Sequence, residues 1–203
     1  MNETKLQIMH VAFKLFLQKG FKEVTMNEIL ENSGLSRGTF YYYFKSKEQV
    51  YTEVIEMFFV TIPTTVRRPI DDSTLHAFYH DYLLNASQTY AQLGKFVKDA
   101  NVQIFNFFTL SLDAMKRLPE YKAKTIIIND TILKIWANVI RKARERGEIE
   151  TTMTDEQIAF FFKFTMDGIG MKSELEGKPS AENDKELIAL WDSFYDQIKT
   201  KER

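Results

Sequence analysis

The chain has 203 residues, 44% of them apolar and 27% charged, enough for one full core or for a small domain followed by a larger one. Its 27 Lys and Arg against 28 Asp and Glu leave a net charge of −1, which excludes a general polyanion binder. With no cysteine there are no disulfides, thiol nucleophiles or thiolate metal sites, and only eight Gly and four Pro favour helices over a strand-and-turn protein.

The predicted elements are helical from the start. Residues 3–19 form an amphipathic helix that buries Ile8, Ala12, Leu15 and Phe16, with Gly20 as its stop. This N-terminus carries Lys5 and Lys14 and is not a signal peptide. Thr25 with Glu28 makes a capping box for a short second helix, in which Ile29 and Leu30 face inward. Ser33-Gly34 ends it, because Gly34 can take the left-handed conformation that a tight helix–helix turn needs. Leu35 plugs the turn and Ser36 caps a third helix. Phe40 and Phe44, four apart, anchor that helix to the core, leaving Gly38, Thr39, Tyr41 and Tyr42 on its other side. Ser46 with Gln49 caps a fourth helix running to about residue 60.

Two short helices joined by a glycine turn are a helix-turn-helix, which lays its second helix in the DNA major groove. Arg37 and Lys47 occupy the first positions of their helices, where a cation opposes the helix dipole at a cost of about 0.3–1 kcal/mol. A phosphate or a base edge as partner accounts for that cost; plain solvation is the alternative. Residues 1–50 hold seven Lys/Arg and five Asp/Glu, a net +2, and the remainder is −3. A modestly basic head on an acidic body suits a protein that uses one end on DNA.

Residues 3–50 resemble the N-terminal domain of the TetR (tetracycline-repressor-like) family of bacterial transcription regulators. The resemblance rests on Lys19-Gly20-Phe21, on Val24 to Ile29, on Gly34 to Phe44, and on Lys45-Ser46-Lys47-Glu48. One departure is Tyr43, where the family often has histidine. The resemblance implies an all-α protein: a three-helix DNA-binding domain over residues 1–47 and a larger helical effector-binding and dimerisation domain over 48–203. It assigns DNA contact to Thr25, Met26, Ser36, Arg37, Gly38, Thr39, Tyr41, Tyr42, Tyr43 and Lys47. Thr25 and Lys47, with Tyr42 and Tyr41, would hold phosphates; Arg37 and Thr39 would reach base edges, and Gly38 would let the backbone approach. A homodimer on an inverted-repeat operator follows from two-fold symmetry.

The body continues in helices. Ile62–Pro69, with two prolines and Arg67-Arg68, is the expected boundary. Helices are predicted over 73–92 and 101–117, and from Pro119 to Arg146 with Ile128, Ile132, Ile135, Trp136, Val139 and Ile140 inward. Arg141, Lys142, Arg144 and Arg146 cluster at the negative end of that helix and read as structural. Thr154 with Gln157 caps a helix to about Ser173, and residues 182–200 form the last. By the resemblance, these last two pair with their mates in a dimer, through Phe160, Leu187, Trp191, Phe194, Tyr195 and Ile198, with Gly168 and Gly170 permitting close approach. An amphipathic helix covering its own core is the plainer alternative.

The resemblance also implies a pocket for an apolar or amphipathic small molecule, with Tyr82, Phe108, Asn129, Trp136, Phe164 and Asp167 as candidate lining. Ordinary core packing is the competing reading of the dense phenylalanines. His76 and His80 are spaced i, i+4 near Asp72 and Asp81, which suits a metal on one helix face. No third ligand lies within sequence reach, so they read as surface histidines and no metal or cofactor is expected. No phosphate loop, nucleophile elbow or dinucleotide fingerprint appears, and no enzyme is expected. No stretch is long and apolar enough to span a membrane, and the absence of cysteine fits the cytoplasm. The expected function is a DNA-binding regulator, a repressor released by an effector. Its rivals are a protein of this fold without effector, and a helical carrier or enzyme using the helix-turn-helix as scaffold.

Overall fold

The computed structural model describes residues 2–65, 69–96, 105–176 and 180–201. The helices are α1 (Glu3–Glu23), α2 (Met26–Ser33), α3 (Arg37–Tyr43), α4 (Lys47–Ile55), α5 (Ile62–Thr65), α6 (Leu75–Lys95), α7 (Phe105–Arg117), α8 (Pro119–Glu145), α9 (Asp155–Glu176) and α10 (Ser180–Ile198). Among the described residues the only strand-like pairing is a single antiparallel bridge, Ile149 to Lys199. No described helix is long and apolar enough to cross a membrane. The chain forms two compact units: Met1–Arg67 with Thr89–Ala123, and Arg68–Gln88 with Lys124–Arg203.

In the first unit, α1 packs on α2, α4 and α7. Its core is aromatic: Phe13 stacks on Phe58 with ring centroids 3.9 Å apart, and Phe107 meets Phe13 edge-on. α1 is broken at Gly20, whose φ of +74° ends the long stretch at the predicted stop and leaves Phe21–Glu23 as a last short turn. After α4 the helix widens into a π-helical segment, Glu56–Thr61, before α5. Pro63 supplies the reason: it has no N–H for the Phe59 carbonyl and crowds it, so the turn opens and Ile62 N–H reaches back five residues to Met57. Residues Val66, Arg67 and Arg68 of the expected boundary segment lie outside the described residues.

Tyr51 ties α4 to α7. Its hydroxyl donates to Asp113 at 3.1 Å, Asp113 also accepts from Arg117 Nε at 2.6 Å, and the Arg117 guanidinium lies 4.5 Å over the Phe21 ring. Burial, and then the Asp113 carboxylate, push the Tyr51 phenol well above its ordinary range, so it remains a donor.

The second unit is built around Trp136 and Trp191, both fully buried with Tyr79 and Phe162. Trp136 stacks on Phe162 at 4.8 Å, and Trp191 Nε1 donates to Thr165 at 2.9 Å. α9 opens with a complete capping box: Gln157 N–H donates to Thr154 Oγ1, and Thr154 N–H to Gln157 Oε1. On α8, Trp136, Val139, Ile140 and Ala143 are buried, but Ile135 is 41% exposed, a correction to its expected inward position. It sits one residue, and so about 100° of helix, away from Trp136. The basic cluster at the end of α8 is structural. Arg144 donates to the Thr151 and Met153 carbonyls and to Asp155, Lys142 pairs with Asp72, and Arg146 pairs with Glu148. Glu148 in turn accepts from the Leu75 and His76 N–H groups, placing a carboxylate at the positive end of α6.

Candidate nucleic-acid interface

Four local devices shape the α2–α3 region. Thr25 caps α2, accepting from Glu28 N–H at 3.1 Å. The carboxylate half of that box is not made as predicted: the Glu28 side chain pairs with Lys19 on α1 instead. Gly34 follows α2 with φ +67° and ψ 15°, a left-handed conformation that a side chain would strain. Ser36 caps α3, accepting from Thr39 N–H at 3.2 Å, and its hydroxyl also bonds the Thr39 hydroxyl at 2.9 Å. Ser46 caps α4, accepting from Gln49 N–H, while Gln49 Oε1 reaches back to Lys45 N–H rather than to the cap itself.

Phe40 and Phe44 are fully buried and clamp α3 onto the first unit's core. The rest of the helix is thereby turned outward. Arg37, Gly38 and Thr39 are exposed and Tyr42 is 75% exposed, while Tyr41 and Tyr43 are half-buried. Among the described residues the Arg37 guanidinium makes no ion pair or hydrogen bond, leaving its donor fork open. A Cβ built on Gly38 would touch only Ser36 Oγ, at 4.0 Å. Neither the backbone nor the packing of this chain therefore requires glycine there, and the open space faces outward. Met26 is half-buried against the core, and Thr25 and Ser36 are exposed beside α3.

Lys47 is placed differently from the other predicted DNA contacts. Its ammonium donates to the Phe21 carbonyl at 2.8 Å and the Lys22 carbonyl at 3.4 Å, and lies 4.3 Å over the Phe21 ring. It closes the last turn of α1, whose carbonyls have no intrahelical donors. Lys45 is likewise engaged, with the Tyr41 carbonyl.

The residues predicted for a pocket are only partly brought together. Tyr82 and Trp136 meet with ring centroids 5.0 Å apart. Among the described residues Trp136 Nε1 is buried without an acceptor. Asn129 is exposed, Phe164 is 57% exposed, and Asp167 is ion-paired with Lys163. Phe108, 46% exposed, belongs to the first unit. Of the residues predicted for an interface, Leu187, Trp191 and Ile198 are buried in the second unit's own core, and Phe194 stacks on Phe161 at 3.9 Å within it. The Tyr195 hydroxyl donates to Glu148; burial, then that carboxylate, push its phenol up to about 12. Phe160 is 46% exposed. Among the described residues, His76, His80 and Asp192 form the one grouping of side chains suited to a metal ion.

Two short helices joined at a left-handed glycine, the second presenting a bare arginine fork and an open glycine, define a helix-turn-helix DNA-binding protein. Residues 8–54 match the family model described as bacterial regulatory proteins, tetR family. Residues 8–54 are thus similar to the DNA-binding domain of that family, and the chain is a DNA-binding transcriptional regulator. It is 27% identical over 172 residues to YfiR, an uncharacterized HTH-type transcriptional regulator of Bacillus subtilis (strain 168), covering 83% of this chain and 78% of that protein. It is 38% identical over 53 residues to the HTH-type transcriptional regulator QacR of Staphylococcus aureus (strain Mu50 / ATCC 700699), a match confined to 26% of this chain and 28% of that protein. A putative transcriptional regulator from Saccharomonospora viridis, solved in complex with choline, shares the fold with a TM-score of 0.69 at 16% identity, covering 99% of this chain and all of the other.

Proposed function

We propose that this regulator binds an inverted-repeat operator as a homodimer and releases it when a small apolar or amphipathic effector binds. The observation that carries the DNA reading is the outward face of α3. Its Arg37 fork is unpaired and its Gly38 is open, while Phe40 and Phe44 hold the helix rigidly from behind. Arg37 and Thr39 read base edges; Tyr42 and the Thr25 and Ser36 hydroxyls hold phosphates, with Tyr41, Tyr43 and Met26 supporting them.

The second copy docks on α9. Phe160, Phe164, Met171 and Leu175 are each at least 46% exposed, and their spacings of four, seven and four put them on one face with exposed Gly168. Leu190 of α10, 39% exposed, extends the apolar area. A solvent-facing seam of this kind is what a helical dimer buries. Two-fold symmetry then presents two α3 helices to major grooves about 34–36 Å apart.

The effector site lies beside Tyr82 and Trp136, where a buried indole N–H offers a donor without an acceptor among the described residues. The solved neighbour's choline complex is one precedent for a small ligand in this fold. Full burial of Trp136, Trp191, Tyr79 and Phe162 favours a second reading, a body already packed and free of effector.

The test is salt-dependent binding of the purified protein to DNA from just upstream of its own coding region, against random DNA of equal length. Preference of about a hundredfold or more establishes specific recognition. Equal binding to both at every salt concentration removes the upstream DNA as operator. A thermal-shift ligand screen, followed by operator release, then separates the effector reading from the packed one.

A further inference from the structure

The second unit joins two histidines one helical turn apart to a carboxylate far along the chain. His76 and His80 stand one turn apart on α6 with ring centroids 4.4 Å apart, and both present Nε2 to one oxygen of Asp192 on α10. Asp192 Oδ1 lies 3.1 Å from His80 Nε2 and 3.8 Å from His76 Nε2, and the three ligand atoms all lie within 4.8 Å of one another. We propose that His76, His80 and Asp192 form a binding site for a divalent transition-metal ion of the zinc class, independent of the DNA and effector readings.

The distances favour it. Metal bonds of about 2.0–2.1 Å at tetrahedral angles set ligand atoms about 3.3 Å apart. The His80–Asp192 edge is already that short; His76 Nε2 must close on Asp192 Oδ1 by about half an ångström, and on His80 from a separation within 4.8 Å, by side-chain torsions. The carboxylate is itself held in place. Tyr79, between the two histidines on α6, donates its hydroxyl to Asp192 Oδ1 at 2.7 Å, the outer hydrogen bond that orients a ligating carboxylate. Two further carboxylates lie nearby, each already paired: Glu148, which accepts from the His76 N–H, with Arg146, and Asp196, one turn after Asp192, with Lys199. Two imidazoles and a carboxylate suit zinc, and three protein ligands leave a coordination position for water or a further ligand. The side chains are 51%, 40% and 44% exposed, so an ion enters without opening the fold. Binding replaces the His80 Nε2···Asp192 hydrogen bond by two metal bonds; the Nε2 proton of a neutral ring moves to Nδ1, and an imidazolium gives one proton to solvent. The neighbouring carboxylates Asp72 and Asp81 are not ligands, being engaged with Lys142 and with the Asp71 N–H.

The experiment uses the full, tag-free chain. Its three histidines provide an internal control, since His10 lies in the first unit. Titration with CoCl2 should give the visible bands of low-coordinate Co2+ at one equivalent per chain, and ZnCl2 should bleach them. The bands should be lost in His76→Ala/His80→Ala, persist in His10→Ala, and require about fifty-fold more metal in Asp192→Asn. Zinc should raise the melting temperature of the parent and not of the double variant. The proposal is overturned if the parent binds no Zn2+ at about 100 μM by calorimetry, if the double variant keeps the bands, or if Asp192→Asn binds as tightly as the parent. The half-exposed His76, His80 and Asp192 make their variants tolerable to the fold, and a metal-free melt of each variant, His10→Ala included, confirms it.

Discussion

Replacing Lys47 by methionine separates two roles that the sequence leaves merged. The ammonium caps the last turn of α1 through the Phe21 and Lys22 carbonyls and lies over the Phe21 ring. A hydrogen bond from a charged donor contributes about 1.5–3 kcal/mol when buried. Partial exposure of Lys47 reduces this to about 1–2 kcal/mol. Methionine keeps an unbranched apolar chain at this position, and removing a cation from the first turn of α4 returns about 0.3–1 kcal/mol. The net loss is about 1 kcal/mol, or roughly 2–4 °C in melting temperature for a chain of this size. Thermal unfolding followed by circular dichroism reads it, alongside DNA binding over a salt series. The expected result is a lowered melting temperature with an unchanged salt slope. A slope flatter by about 0.9, with the melting temperature unmoved, would mean that Lys47 holds a phosphate and would refute the capping argument.

Arg37→Ala should change which bases are preferred at one operator position, at about 1–3 kcal/mol of discrimination, with little effect on melting; a competition series over single-base operator variants reads it. Gly38→Ala has room within the protein, so folding should hold or gain up to about 0.5 kcal/mol, while operator affinity drops about tenfold or more because the new methyl occupies the approaching DNA backbone's space. Unchanged affinity would show that nothing approaches this close. His10 lies 4.6 Å from the Phe96 ring with its Nε2 buried and without a partner among the described residues, and burial, then Lys14, hold its imidazole below the ordinary 6.5. The unfolded chain therefore binds a proton more readily, and stability is lost as pH falls below about 6.5. His10→Phe should lose less stability than the parent between pH 7.5 and 5.5; equal losses would remove His10 as a cause.

What the sequence alone determined is what short-range chemistry controls. Thr25, Ser36, Ser46 and Thr154 cap the helices they were expected to cap, because a cap reaches only three residues. Gly34 takes the left-handed turn, and Phe40 and Phe44 share a buried face, because helical geometry places i and i+4 together. The helix-turn-helix is built almost wholly from such local terms, so it was legible, and so were the helical body and the structural use of the basic cluster on α8.

Tertiary structure decided the rest, because packing brings together residues whose separation leaves no periodic trace. Glu28 turned from its own cap to Lys19, and Lys47 turned back to the end of α1, 26 positions earlier. The apolar stripe of α10 reads the same whether it faces its own core or a partner. Only packing shows that Leu187, Trp191 and Ile198 lie inside the second unit while Phe160 and Phe164 of α9 stay outside. A third ligand for His76 and His80 was absent from their neighbourhood in the chain. It came from Asp192, 112 residues beyond His80, because the packing of the second unit joins α6 to α10.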